Sequence, residues 1–204
     1  MKVVFQYSDI YDDLWKEVMK ERSKKSDSWI YHFPFPKEEN IMKFVKHLNG
    51  GSWPDKQGKR GLKKIESITG LQWKNKQIIC YVVGNCIPFS MPMTVFMTWD
   101  KRRFFNNVTH ELIHVLLYDN DPKLKRFWSQ LNHKYNVNWV TFMHIPLFAI
   151  HFKMLRDAFG NSAVKAEVEE SSSINNSYKK AVQIALKDGD SILKMFPAQR
   201  QQEN

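Results

Sequence analysis

Residues 108–117 constrain the fold of this chain most, because they place ionisable side chains inside an apolar helical pattern. The stretch reads Val-Thr-His-Glu-Leu-Ile-His-Val-Leu-Leu. Residues four apart on a helix lie on one face, so His110 and His114 can direct their imidazoles toward one point. From Leu112 onward the other positions are apolar, and we expect a helix that is buried on most sides. Burying both imidazoles and the Glu111 carboxylate there is costly unless a ligand satisfies them.

Two histidines one helical turn apart are a common pair of zinc ligands. Glu111 leaves the helix about 100° round from His110, so it can reach a water molecule at the metal without binding the metal itself. The alternative is a buried helix with two core histidines and an unrelated glutamate, since a chain with seven histidines can contain this spacing by chance. The apolar neighbours of the three side chains favour a metal site.

A catalytic zinc ion usually has three protein ligands, so a third must come from elsewhere in the chain. His144 and His151 lie on a helix predicted over residues 139–159, about 10 Å apart along its axis. Both cannot bind one ion from an unbroken helix, and we favour His144, with His151 as the alternate ligand or a neighbour of the site. The remaining candidates are Glu167, Glu169, Glu170 and His133.

The hydrophobic periodicity predicts strands before residue 100 and mainly helices after it. Strands are expected over residues 2–7, 77–83 and 93–99, and the helices over 9–25, 37–48, 54–69, about 101–120, 122–134, 139–159 and 174–195. Pro146 should either kink the 139–159 helix or mark its first turn. The 9–25 helix should turn one apolar face inward, formed by Ile10, Leu14, Trp15, Val18 and Met19.

This order of elements predicts an α+β fold with a small, mostly antiparallel or mixed sheet. We expect one domain over residues 1–204, with the sheet and motif helix in about 1–120 and a helical part in about 121–204 that carries the third ligand. The aromatic stretch 26–37 should form an ordered loop, and residues 197–204 should be frayed.

The composition is that of a globular chain, with 43% hydrophobic and 25% charged residues. No run of about 18 apolar residues exists, so no membrane-spanning helix is expected. The N-terminus lacks the apolar core of a signal peptide, which favours a cytoplasmic protein. Cys80 and Cys86 are the only cysteines, and in that compartment we expect reduced thiols.

The formal net charge of +10 permits weak binding to nucleic acid or to acidic surfaces. Lysines and arginines are scattered over the predicted helices, and no nucleic-acid-binding motif accompanies them. The simpler interpretation is a solvated basic surface.

The motif and the order of elements resemble the zincin metallopeptidases, and among them the small single-domain minigluzincins. The similarity extends over about residues 1–160. Gluzincins carry a glutamate on the later ligand helix, where this chain offers His144. The resemblance implies a zinc-dependent peptidase whose substrate pairs along a sheet edge, formed by residues 93–98 or by the loop 84–92.

In such a peptidase, His110, His114 and His144 would hold one Zn²⁺ ion, which lowers the pKa of a zinc-bound water and polarises the scissile carbonyl. Glu111 would take the proton of that water and pass it to the leaving amine. A further donor should stabilise the oxyanion. The candidates for that donor are Tyr118, Tyr135 and His151.

Two other functions fit the same residues. One is a peptidase that acts on nucleic-acid-associated protein, which the basic charge suggests. The other is a non-catalytic, zinc-stabilised binding protein, in which a fourth protein ligand closes the metal site. The number of protein ligands distinguishes this binding protein from an enzyme, because a catalytic ion keeps one coordination position open for water or substrate.

Overall fold

The structure is a computed structural model that describes residues 1–25, 35–52 and 56–196. The predictions for residues 26–34 and 197–204 lie outside this part of the chain. The described residues form an α+β fold with a small sheet, as predicted. The strands are β1 (Lys2–Tyr7), β2 (Gln77–Val83), β3 (Phe89–Ser90) and β4 (Met93–Phe96). The helices are α1 (Asp9–Ser23), α2 (Glu38–His47), α3 (Lys56–Thr69), α4 (Lys101–Asp119), α5 (Lys125–Lys134), α6 (Trp139–Phe159), α7 (Asn161–Ser172) and α8 (Asn176–Lys194).

The sheet has the strand order β1-β2-β4-β3. β1 and β2 are parallel, with Phe5 opposite Cys80, and β2 and β4 are also parallel, with Val82 opposite Val95. Only β3 and β4 are antiparallel. The prediction of a mixed sheet is confirmed, whereas a mostly antiparallel sheet is wrong. The long connection through α1, α2 and α3 returns the chain to start β2 in the same direction as β1.

Of the two segments predicted as the sheet edge, the loop 84–92 contains the edge strand and the segment 93–98 does not. β4 lies between β2 and β3, so the segment 93–98 is not an edge. The loop 84–92 contains β3, which is the outer strand on that side. All four residues of β4 are buried, as an inner strand requires.

The chain divides into two compact units. The first contains Met1–Lys59 and Asn75–Leu112, and the second contains Arg60–Lys74 and Ile113–Asn204. The first unit holds the sheet, α1 and α2, and the second holds α5 to α8. The division falls inside α4, which is one continuous helix through it.

In the first unit, α1 begins where predicted, because the Ser8 side chain accepts a hydrogen bond from the Tyr11 N–H. The predicted inward face is wrong for Ile10 and Leu14, which are 75% and 57% exposed. The opposite side of the helix is buried instead, and besides the predicted Met19 it contains Asp12. Its carboxylate accepts a 2.6 Å hydrogen bond from the Gly84 N–H just beyond β2. A strong acceptor for a buried backbone donor therefore decides the rotation of α1.

In the second unit, α6 starts at Trp139 with the Asn138 side chain as its cap, accepting from the Thr141 N–H at 2.9 Å. Pro146 lies inside the helix, so the alternative that it marks the first turn is wrong. α7 was not predicted, because its buried face contains Glu167 and Ser171 and lacks a long apolar stripe. Among the described residues, no helix has the length and apolar character needed to cross a bilayer.

Candidate metal centre

Helix α4 carries the motif in the setting that the sequence predicts. Its apolar positions are buried, and Leu112, Ile113, Leu116 and Leu117 are fully so. The Asp100 side chain accepts a 3.0 Å hydrogen bond from the Arg103 N–H and so fixes the start of the helix. His110 and His114 are partly exposed and Glu111 is buried. The three side chains of the motif thus project from one rigid, well-packed helix.

His144 on α6 lies against the motif histidine His114. Their ring centroids are 5.0 Å apart and the ring planes are nearly perpendicular, at 83°. His110 precedes His114 by one turn of the same continuous helix. One ligand nitrogen from each of these three rings lies within 4.8 Å of the others. The three imidazoles therefore have the proximity that one metal ion requires.

The protonation of His144 is set by the backbone. Its Nδ1 lies 2.7 Å from the carbonyl oxygen of Val140. Because a carbonyl oxygen only accepts, Nδ1 must carry the proton, and the lone pair of the neutral ring is on Nε2. This is the arrangement that orients a metal-binding histidine in proteins.

The pKa values keep these imidazoles in the metal-binding form. Burial, together with a smaller effect of the neighbouring His144, lowers the pKa of His114 to about 3. Burial also lowers the pKa of His144, against the opposing effect of its hydrogen bond to Val140. Both rings are therefore neutral at pH 7, and a neutral imidazole is the form that binds a metal ion.

A second group of possible ligands shares His110. It adds His151 of α6 and Glu167 of α7, and one ligand atom from each of the three residues lies within 4.8 Å of the others. His151 is fully buried, with Nδ1 3.9 Å from Oε1 of Glu167. That oxygen also accepts a 2.8 Å hydrogen bond from the Ser171 hydroxyl. Burial lowers the pKa of His151 to about 3, so this ring is neutral as well.

The other candidates for a third ligand belong to neither group of described residues. His133 is exposed in the last turn of α5, where a basic side chain suits the helix terminus. Glu169 is exposed on α7, and Glu170 is half-buried. His144 and His151 fall in separate groups, as expected for two residues seven apart on an unbroken helix.

Glu111 has one partner that the sequence analysis missed. The hydroxyl of Ser90, on the edge strand β3, donates a 2.9 Å hydrogen bond to Oε2 of Glu111. Burial raises the pKa of Glu111 to about 8, and the Ser90 hydrogen bond partly offsets this effect. Without a metal ion the carboxyl group is therefore mostly protonated at pH 7, and a bound cation beside it would favour the carboxylate form that a general base needs. The loop 84–92 was one of the two predicted sheet edges, but the sequence did not identify the serine itself.

The two tyrosines considered for the oxyanion have different surroundings. The Tyr118 ring centroid is 6.5 Å from that of His114, and the side chain is 44% exposed. The Tyr135 hydroxyl donates a 2.6 Å hydrogen bond to Asp188 on α8, which gives it a structural role. Tyr178 of α8 was not predicted, although its ring centroid lies 4.2 Å from that of His144. No local sequence signal links Tyr178 to a histidine on another helix.

The two cysteines lie on or near β2 as buried, free thiols. Burial raises the pKa of both Cys80 and Cys86, and the charge of Glu111 raises them further. Both sulfurs are therefore protonated at pH 7, and neither is in the thiolate form that binds metal ions.

Comparison of the chain with protein-family models, with curated proteins and with solved structures finds no match. What the site can do therefore follows from its own residues.

Proposed function

We propose that this chain is a zinc-dependent peptidase in which His110, His114 and His144 bind one zinc ion and Glu111 is the general base. The observation that carries the proposal is the convergence of three imidazoles, with ligand nitrogens within 4.8 Å of one another. The Val140 carbonyl supports it, because it directs the lone pair of His144 to Nε2. Three imidazole ligands suit zinc among the common biological cations.

The residues around the histidines favour catalysis. His110 and His114 are only partly buried, which leaves solvent access to the side of α4 that carries them. A zinc ion at such a site supplies an acidified water molecule and polarises a carbonyl group. Glu111 follows His110 directly, and Ser90 fixes its Oε2. The role of Glu111 is to accept the proton of the attacking water and deliver it to the leaving amine.

The edge strand β3 supports a peptide as the substrate. Among the residues that the structure describes, β3 pairs with β4 alone, through Phe89 opposite Thr94 and Ser90 opposite Met93. An extended peptide can add to such an edge through main-chain hydrogen bonds. Because Ser90 also binds Glu111, a peptide on this edge passes next to the proposed base.

The Glu111→Gln variant tests the proposal. We expect it to retain one zinc ion per chain by elemental analysis and to lose about 100-fold or more of its peptidase rate, which is a typical contribution of a general base. Hydrolysis of a quenched fluorescent peptide library gives the rate. Glu169→Gln is the matched control, because Glu169 is an exposed glutamate on α7. Unchanged hydrolysis in Glu111→Gln would exclude Glu111 as the base.

A non-catalytic zinc protein is the second candidate, and the buried pair His151 and Glu167 favours it. With His110 they form a separate ligand set, which could hold a structural ion in place of the three-histidine set. X-ray absorption at the zinc edge distinguishes the two functions by the number of protein ligands. In the peptidase, His144→Ala loses zinc and His151→Ala keeps it. In the structural site, His151→Ala or Glu167→Gln releases the metal instead.

A further inference from the structure

A cavity of about 520 Å³ lies in the second unit, formed by the end of α4, the start of α5 and the first turns of α6. Its volume is in the range of small-molecule and side-chain binding sites. Four aromatic side chains and one carboxylate dominate the lining, namely Tyr118, Trp128, Trp139, Phe142 and Asp121. Leu117 and Met143 complete it.

The aromatic rings of this cavity are unusually exposed. Trp139 is 66% exposed and Tyr118 is 44% exposed. The Phe142 ring lies beside both indoles, with centroids 5.7 Å from Trp128 and 6.0 Å from Trp139. Adjacent large rings left in contact with water mark a binding site more often than a free surface.

The side chains that line the cavity carry a negative charge, whereas the chain as a whole is positively charged. The sequence has 31 lysines and arginines and a net charge of +10. The described residues that line the cavity include no basic side chain and one acidic side chain, Asp121. A carboxylate beside several aromatic faces is complementary to a cation, because both attract positive charge. An acidic or phosphorylated ligand would meet the Asp121 carboxylate and no cationic side chain among these lining residues.

The cavity adjoins two of the histidines along the chain. Tyr118 lies one helical turn after His114, with ring centroids 6.5 Å apart. Met143 directly precedes His144 on α6. Tyr118 therefore belongs to the cavity lining and also lies beside a motif histidine.

We propose that this cavity binds the arginine side chain of a peptide. The apolar stem of arginine lies against the rings, its planar guanidinium stacks on an aromatic face, and Asp121 accepts its N–H groups. Arginine fits better than lysine, since the compact ammonium of lysine neither stacks nor forms two parallel hydrogen bonds with a carboxylate. That the bound peptide is cleaved near this arginine rests on the proposed function, whereas binding itself does not.

The test uses tryptophan fluorescence of the full chain with blocked tetrapeptides that differ at one position. Arg, norleucine and Phe peptides are titrated into metal-free protein. We expect the Arg peptide to change the fluorescence and to bind at least about tenfold more tightly than the norleucine peptide. Asp121→Asn should remove this preference, and Trp139→Ala should weaken all binding. Asp190→Asn, which removes an exposed carboxylate on α8, should leave binding unchanged.

Three results would overturn the proposal: no binding of the Arg peptide, equal or tighter binding of the norleucine or Phe peptide, or full Arg binding by Asp121→Asn. Hydrolysis is measured separately with zinc-loaded protein. Selective Arg binding without hydrolysis supports the cavity assignment and counts against the peptidase function. Hydrolysis without selective Arg binding that depends on Asp121 supports the peptidase function and counts against the cavity assignment.

Discussion

At the scale of single residues, the ionisable groups near α4 are tuned by burial and by one hydrogen bond each. The Val140 carbonyl determines which nitrogen of His144 carries the proton. The Ser90 hydroxyl holds Glu111 and opposes the rise in its pKa that burial causes. The Val140 carbonyl and the Ser90 hydroxyl are both uncharged, so their main contribution is to orient the His144 and Glu111 side chains.

Ser90→Ala should lower kcat without releasing zinc. A hydrogen bond to a charged group contributes about 1.5–3 kcal/mol, which corresponds to a decrease of about 10- to 100-fold if the bond is needed only in the transition state. Steady-state peptidase kinetics and elemental analysis measure the two effects. Ser90→Thr keeps a hydroxyl and should restore most of the rate, and Ser129→Ala, at an exposed position on α5, is the control. Wild-type kcat in Ser90→Ala would contradict the role assigned to this bond.

At the scale of secondary structure, buried or partly buried carboxylates connect elements that the hydrophobic pattern alone would not join. Asp12 links α1 to the end of β2 through the Gly84 N–H. Gly84 has no room for a side chain, because a Cβ there would lie 2.9 Å from Pro36 and 3.2 Å from the Asp12 carboxylate. Asp157 links α6 to α3, and its Oδ2 lies 2.6 Å from Nζ of Lys64.

Asp12→Ala should destabilise the protein by about 1–3 kcal/mol, because it leaves the buried Gly84 N–H without its acceptor. Urea unfolding followed by circular dichroism gives the free energy. Asp13→Ala is the matched control: Asp13 also pairs with Lys16 at 2.9 Å, but its side chain is 76% exposed. Its effect should stay within about 0.5 kcal/mol. Equal effects of the two variants would show that the Gly84 contact contributes nothing.

The Asp157 interactions should contribute a pH-dependent part of the stability. Hydrogen bonds from Lys153 and Lys64 hold the pKa of Asp157 below its ordinary value, so its stabilising effect is full above the unfolded-state pKa of about 3.9. The effect is lost as the pH falls through the lower pKa of the folded state. It should not exceed about 1 kcal/mol, because the lysines are partly exposed.

The measurement is the difference in unfolding free energy between the wild type and Asp157→Asn as a function of pH. We expect a constant difference above about pH 5 and a decrease below about pH 4. A difference that grows toward low pH would have the wrong sign and would exclude this explanation.

At the scale of the whole molecule, the boundary between the two compact units falls inside α4, between Leu112 and Ile113. Glu111 and Ser90 belong to the first unit, and His114 and His144 belong to the second. His110 and His114 lie on either side of this boundary along one continuous helix.

Zinc should raise the thermal stability of the chain. Binding to the folded state alone adds about 2.7 kcal/mol when free zinc is 100 times its dissociation constant. For a chain of this length that corresponds to a rise in Tm of about 5–10 °C. Differential scanning calorimetry with zinc, and again after chelation, measures it. Magnesium, which prefers oxygen ligands, should give no shift, and a zinc shift that persists in the His110→Ala, His114→Ala double variant would place the metal elsewhere.

The sequence by itself determined what depends on neighbours along the chain. The helix positions, the buried setting of α4 and the relation among His110, Glu111 and His114 follow from a repeat of 3.6 residues per turn. The caps at Ser8 and Asn138 are equally local, because a cap binds an N–H only three residues away. Apart from α7 and the rotation of α1, the helices were predicted correctly, because this repeat involves only residues close together in the chain.

Only the tertiary structure decided which distant residues join the motif. The sequence favoured His144 over His151 as the partner of the motif, and the fold places them in different groups, His144 with His114 and His151 with Glu167. Ser90, Tyr178 and the buried Asp12 carry no local signal, and the parallel pairing of β1, β2 and β4 has none either. The physical reason is common to all of them. A contact between residues far apart in the chain depends on how whole elements pack, and hydrophobic periodicity specifies which face of an element is buried but not the partner it meets.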